Sequence, residues 1–163
     1  MKYNDNIMEV MWKVICIIVS MMLAVMSLLI ILQVASRFLF HFPITWSEEL
    51  AKYLLVWITF LGGSLGLRAG KMIGITVISS LVPEKMRNLF YWATKLSLLV
   101  FFIFLMIYGF QMMVIANSQI SSTLPMRLSV AYAAIPVGAF FMAVCLIEMI
   151  IQDRKGKGGD ISC

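Results

Sequence analysis

Four long apolar runs, none carrying a charge in its middle, constrain this chain more than any other feature. The first, Val14 to Ser36, has 23 uncharged residues. A hydrocarbon core of about 30 Å is crossed by about 20 residues of helix, and a helix satisfies its backbone polar groups within itself. The chain is 163 residues long, 62% hydrophobic and 13% charged, so little of it is left for anything else. The expected fold is an all-α integral membrane protein. It has four transmembrane helices plus a short interfacial amphipathic helix between the second and third. One membrane domain covers 1–163, with spans at about 14–36, 46–67, 92–115 and 128–148.

The second helix should start near Trp46, where Thr45 and Glu48 form a T-x-x-E capping box just after Pro43. Residues 72–82 are too few to cross. Thr76, Ser79 and Ser80 share one helical face opposite Ile73, Val77, Ile78 and Leu81, which predicts the interfacial helix. Pro83 ends it. The tail, 154–163, reads as a flexible basic end. The first apolar run is longer than a signal-peptide core and lacks a small-x-small cleavage site, so it is read as a retained helix.

Cation placement predicts topology. Ten of the 13 Lys and Arg residues fall on one side: Lys2, Lys13, Arg68, Lys71, Lys85, Arg87, Lys95, Arg154, Lys155 and Lys157. Arg37, Lys52 and Arg127 fall on the other. Both termini are expected in the cytoplasm, with Trp12, Trp92 and Arg68 as inner-interface anchors. The net charge of +5 then belongs to membrane-flanking loops and calls for no nucleic acid. Cys16, Cys145 and Cys163 have no paired spacing, and His41 is the sole histidine. No disulfide, metal site, cofactor or catalytic centre is expected.

The densest chemistry lies at the outer edge. Arg37 leaves the first helix, and Trp46-Ser47-Glu48-Glu49-Leu50-Ala51-Lys52 opens the second. Glu48 and Lys52 are an i, i+4 pair. A hairpin brings Arg37 near Glu48 or Glu49, and Arg127 in the other outer loop can join them. Ordinary interfacial charge and a positioned docking clasp both fit this spacing. Trp57 lies near mid-depth, which suits packing on protein. Gly62, Gly66, Gly70 and Gly74 recur every fourth residue, the spacing that lets helices approach closely, whether inside the chain or against a partner. Pro136-Val137-Gly138 should kink the fourth span.

In order and spacing these residues resemble a known signature. Arg37-Phe38, Trp46-x-Glu48-Glu49-x-Ala51, Trp57, Gly62 and Arg68-Ala69-Gly70-Lys71 are similar to the small permease subunit of tripartite ATP-independent periplasmic (TRAP) transporters, the DctQ-like family. Leu81-Val82-Pro83, Arg87, Ser122-Thr123-Leu124-Pro125, Tyr132 and Pro136-Val137-Gly138 continue the likeness. The resemblance covers about Ser36 to Gly138. Lys71 and Gly74 depart from it, because relatives often carry polar or acidic residues there.

The resemblance implies a subunit of the bacterial inner membrane that pairs with a large permease subunit. That subunit holds the substrate and sodium sites and moves as an elevator, while the small one enlarges its static scaffold. A periplasmic binding protein delivers an organic acid, a sialic acid or C4-dicarboxylate, and an ion gradient drives uptake. No substrate site is expected in this chain. Other classes fit less well. A small four-helix antiporter needs an acid inside its first helix, and Val14 to Ser36 has none. A four-helix redox enzyme needs paired His or a CxxC. An accessory subunit of another membrane complex stays as the general alternative.

Overall fold

The computed structural model describes residues 2–39, 45–69, 84–121, 123 and 125–154. Helix α1 is Lys2–Leu39, α2 is Thr45–Arg68 and α3 is Glu84–Ala116. A one-turn helix, α4 (Ser129–Tyr132), leads into α5 (Ala134–Arg154). Four helical stretches are long and apolar enough to cross a membrane: Met8–Leu39, Thr45–Arg68, Trp92–Ala116 and Ser129–Ile151. The all-α transmembrane class expected from the apolar runs is thus what the chain adopts. The expected interfacial helix at 72–82, the His41–Pro43 turn, Gly70, Gly74 and the tail beyond 154 lie outside the described residues.

Helices α1 and α3 extend well past their uncharged runs, because charged ends leave a helix free to continue into the headgroup region. The hydrogen-bond ladder of the fourth span is interrupted at Ala133, three residues before Pro136, although Ala133 keeps helical backbone angles (φ −60°, ψ −24°). Proline has no N–H to donate to Tyr132, and its ring crowds that carbonyl, so the ladder breaks there while the helix carries on.

The helices form a row. Close backbone contacts join α1 to α2, α2 to α5 and α5 to α3; none joins α1 to α3 among the described residues. The central position of α5 selects small residues. Ala131, Ala134, Gly138, Ala139 and Cys145 are all buried along α4 and α5. The tightest approach is at Gly138, where an added Cβ would lie 2.4 Å from Phe60 Cβ and 3.1 Å from the Phe60 carbonyl carbon. On α3 every seventh residue is buried: Lys95, Phe102, Gly109 and Ala116. A Cβ on Gly109 would meet Ile135 at 2.7 Å and Pro136 at 3.1 Å. Glycine is needed at Gly138 because the α2 backbone nearly touches it, and at Gly109 because the Ile135 and Pro136 side chains fill the space. Trp12, Ile15, Leu61, Leu67, Phe102, Cys145 and Leu146 make the core. The outer sides of α1 and α3 are largely exposed and apolar, as suits lipid or another membrane protein.

Candidate functional site

At the end of the row where α1 meets α2, Glu49 grips a loop. Its Oε1 accepts the Ser121 hydroxyl. Its Oε2 accepts the Thr123 N–H at 3.0 Å and also the Thr123 hydroxyl. Hydrogen bonds to a carboxylate are about twice as strong as neutral ones. The gripped loop is itself built. Ile120 and Arg127 form an antiparallel bridge. The Ser121 N–H donates to the Met126 carbonyl at 3.0 Å, and the Leu128 N–H to that of Gln119 at 3.1 Å. Arg127 Nη1 donates to Asn117 Oδ1 at 3.0 Å, an oxygen that also takes the Ser129 hydroxyl at 3.4 Å.

This arrangement redraws the expected outer cluster. Glu48 does bind Lys52, at 2.7 Å, but both side chains are more than half exposed, so water screens the pair and it adds little to stability. Among the described residues Arg37 pairs with neither Glu48 nor Glu49 and stands exposed at the end of α1. Arg127 turns to Asn117 and not to a carboxylate. The reason is competition: the hydroxyls and amide of the loop occupy Glu49, and a lysine one turn away occupies Glu48. Spacing indicates which charges share an edge but not which acceptor a distant loop fills.

Trp57, expected with Trp46, Gly62 and Gly66 to pack on a partner, packs inside the chain, and its Nε1 donates to the Val130 carbonyl at 3.1 Å. Val130 belongs to the one-turn helix before the break, where carbonyls lack the usual intrahelical partners. That bond accounts for Trp57 without a second protein. Gly62 lies in ordinary contact with Val19 of α1 at 3.9 Å, and Gly66 faces open space. Among the described residues, then, the close approaches at Gly138 and Gly109 lie off the expected ladder at Gly62 and Gly66. Trp46 is exposed at the start of α2.

The opposite end holds a cluster that spacing alone does not assemble. Trp12, expected as an interface anchor, is only 2% exposed and lies in the core. Its Nε1 donates to Glu148 Oε2 at 3.1 Å. Arg68, another expected anchor, has its guanidinium 5.2 Å from the centre of the Trp12 ring and its Nη2 4.0 Å from Glu148 Oε1. Both charged side chains are about nine-tenths buried. Arg68 Nε is buried without a hydrogen-bond partner. Lys95 is also buried, at the same end of α3. The ionisable groups do sit at the edges of the spans, but at this end they turn inward. Trp92 keeps to the outside of the row. Glu148 is the residue missed from sequence, and its signal was a lone acid between Ile147 and Met149 in an apolar helix.

Among the described residues no group of His, Cys, Asp or Glu could hold a metal ion. Nothing described combines a nucleophile, a base and a cleft. The chemistry on offer is structural: polar clasps at both ends and apolar faces between.

Comparison with known proteins agrees. Residues 26–156 match the family described as tripartite ATP-independent periplasmic transporters, DctQ component. The chain is 36% identical over 132 residues to the sialic acid TRAP transporter permease protein SiaT of Haemophilus influenzae; this covers 79% of the chain but only 21% of that longer protein. It is 28% identical over 159 residues to the sialic acid TRAP transporter small permease protein SiaQ of Vibrio cholerae, covering 94% of the chain and 85% of the relative. A C4-dicarboxylate TRAP transporter small permease protein, DctQ of Vibrio cholerae, is 28% identical over 106 residues, 65% of the chain and 43% of the relative. This multi-pass membrane protein, a transporter subunit and not an enzyme, belongs to the DctQ-component family of small TRAP permeases.

Proposed function

We propose that the chain is the scaffold half of a two-part membrane permease. It pairs with a large elevator-type subunit, which carries the substrate and coupling-ion sites. A periplasmic binding protein supplies an organic acid of the sialic acid or C4-dicarboxylate class, and a sodium gradient drives uptake across the bacterial inner membrane. Both termini face the cytoplasm, in keeping with the ten-to-three bias of Lys and Arg.

The observation that carries this reading is where the charges are. Among the described residues, the buried or clasped ionic groups lie near the two ends of the row: Glu49 at one, Arg68 and Glu148 at the other. A carrier that binds a carboxylate and a cation needs polar groups at mid-depth. Among the described residues this chain places no charged side chain there, only uncharged polar groups such as Thr59 and Ser64 that bond to their own helix, beside Trp57, small residues and apolar surface. A row of helices pinned at both ends has the build of a static frame. The Haemophilus relative adds support, because the matched stretch is about a fifth of a longer permease chain. Exposed Trp46 and Gly66 suit contact with such a partner, and the outer charges Arg37, Glu48, Lys52 and Arg127 suit a soluble one.

Reconstitution tests the reading. The chain alone in liposomes under a sodium gradient gives no uptake; adding the large subunit and the loaded binding protein produces it. Uptake by this chain alone overturns the proposal, as does full activity of the large subunit without it.

A further inference from the structure

Glu49 and Trp57 of α2 each reach across to the connection between α3 and α5. Glu49 binds Ser121 and Thr123, and Trp57 Nε1 donates to the Val130 carbonyl at 3.1 Å. Between them, one turn from each, stands Tyr53. Residues at i, i+4 and i+8 form one stripe of a helix, so the three share a side of α2. Tyr53 is only 8% exposed. Its hydroxyl is buried and has no hydrogen-bond partner. The two outer members of the stripe bond the connection, and the middle one bonds nothing.

A buried hydroxyl left unbonded weights the observed arrangement down by a factor of about ten or more. Where that hydroxyl reaches is informative. Helical side chains lean toward the N-terminus of their helix. The Tyr53 phenol therefore leans toward the turn that carries Glu49, about 6 Å away along the axis. Glu49 in turn tolerates isolation worse than a neutral group does, because a carboxylate stripped of donors in a water-poor setting is strongly disfavoured. Once parted from Ser121 and Thr123, it has a ready donor in its own stripe. A phenol bonded to a carboxylate is among the stronger hydrogen bonds.

We infer that Glu49 and Tyr53 form a two-position latch on the connection between α3 and α5. In the position seen, Glu49 holds Ser121 and Thr123, and the Tyr53 hydroxyl is unbonded. In the other, the Tyr53 hydroxyl donates to Glu49, and Ser121 and Thr123 are released from α2. The Trp57–Val130 bond persists in both and bounds the moving part on the α5 side, as buried Ala116 does on the α3 side. An unbonded hydroxyl in one position and a bonded one in the other bring the two close in free energy. The latch lies within this chain and does not depend on the proposed pairing.

Hydrogen exchange and thermal unfolding of the purified full chain in detergent test it. Tyr53→Phe relieves the unbonded hydroxyl in one position and removes the donor in the other. Exchange at the Thr123 amide should therefore slow about tenfold, and the melting temperature should rise. In the background Ser121→Ala, Thr123→Val the second position is the favoured one, so the same Tyr53→Phe change should lower the melting temperature. With Glu49→Ala already present, Tyr53→Phe should alter Thr123 exchange by less than about twofold, because the partner it acts through is gone. Unchanged or faster Thr123 exchange in Tyr53→Phe overturns the latch. So does a melting shift of the same sign in both backgrounds, which marks a hydroxyl acting through local packing or a bound water alone. Equal slowing with and without Glu49 overturns it as well.

Discussion

The indole of Trp12 and the carboxylate of Glu148 lie 136 positions apart in sequence and share a buried hydrogen bond of 3.1 Å. The same indole carries the Arg68 guanidinium over its ring, and the same carboxylate faces that guanidinium. Three helices, α1, α2 and α5, are tied at one end by three side chains. Each of the three makes the other two tolerable in a water-poor setting, since a charge buried alone there is strongly unfavourable.

That triangle sets the first expectation. Glu148→Ala leaves the Arg68 charge buried and unpaired and should destabilise the folded chain by about 3 kcal/mol. Replacing both, Glu148→Leu with Arg68→Met, should cost less than the sum of the two single changes. Thermal unfolding of the detergent-solubilised protein in a double-mutant cycle reads the coupling; strictly additive effects would reject the tie.

Glu49 should govern the order of a loop more than overall stability. Glu49→Ala removes three hydrogen bonds to Ser121 and Thr123, each contributing about 1 kcal/mol. Hydrogen exchange at the Thr123 amide should then rise well above that of the parent, while the core of α5 stays protected. Unchanged exchange through 117–127 would show that the β-bridge holds the loop without Glu49.

Two glycines on this fold should behave in opposite ways. Gly138→Ala drives a methyl into the Phe60 backbone and should destabilise α2–α5 packing by about 1–3 kcal/mol. Gly66→Ala meets nothing within 4 Å of this chain, so in isolation it should be neutral or slightly stabilising through helix propensity. Equal melting shifts for the two would contradict the packing described. A Gly66→Leu change that spares the isolated chain but weakens the complex would place a partner on that face.

Orientation is accessible through fusions. Alkaline phosphatase joined after Lys155 should be inactive, and a fusion near Pro43 should be active, because the cation bias holds the termini in the cytoplasm. High activity at the C-terminal junction would reverse the orientation.

Spacing and polarity alone determined the class and the traverse of the chain. Apolar runs such as Val14–Ser36 can exist only as membrane-spanning helices, since hydrocarbon leaves the backbone no partner but itself. The Glu48–Lys52 pair and the break ahead of Pro136 were also legible, because both are settled within one or two helical turns. The ordered run of short motifs from Arg37 to Gly138 was enough to place the chain in its family. Only the tertiary structure decided which charges meet. Glu49 goes to Ser121 and Thr123, Arg127 goes to Asn117, and Trp12 leaves the interface for Glu148. These choices depend on where separate helices stand relative to one another. That is fixed by close approaches at Gly138 and Gly109, positions whose lack of a side chain gives little sign in sequence of which neighbour will fill the space.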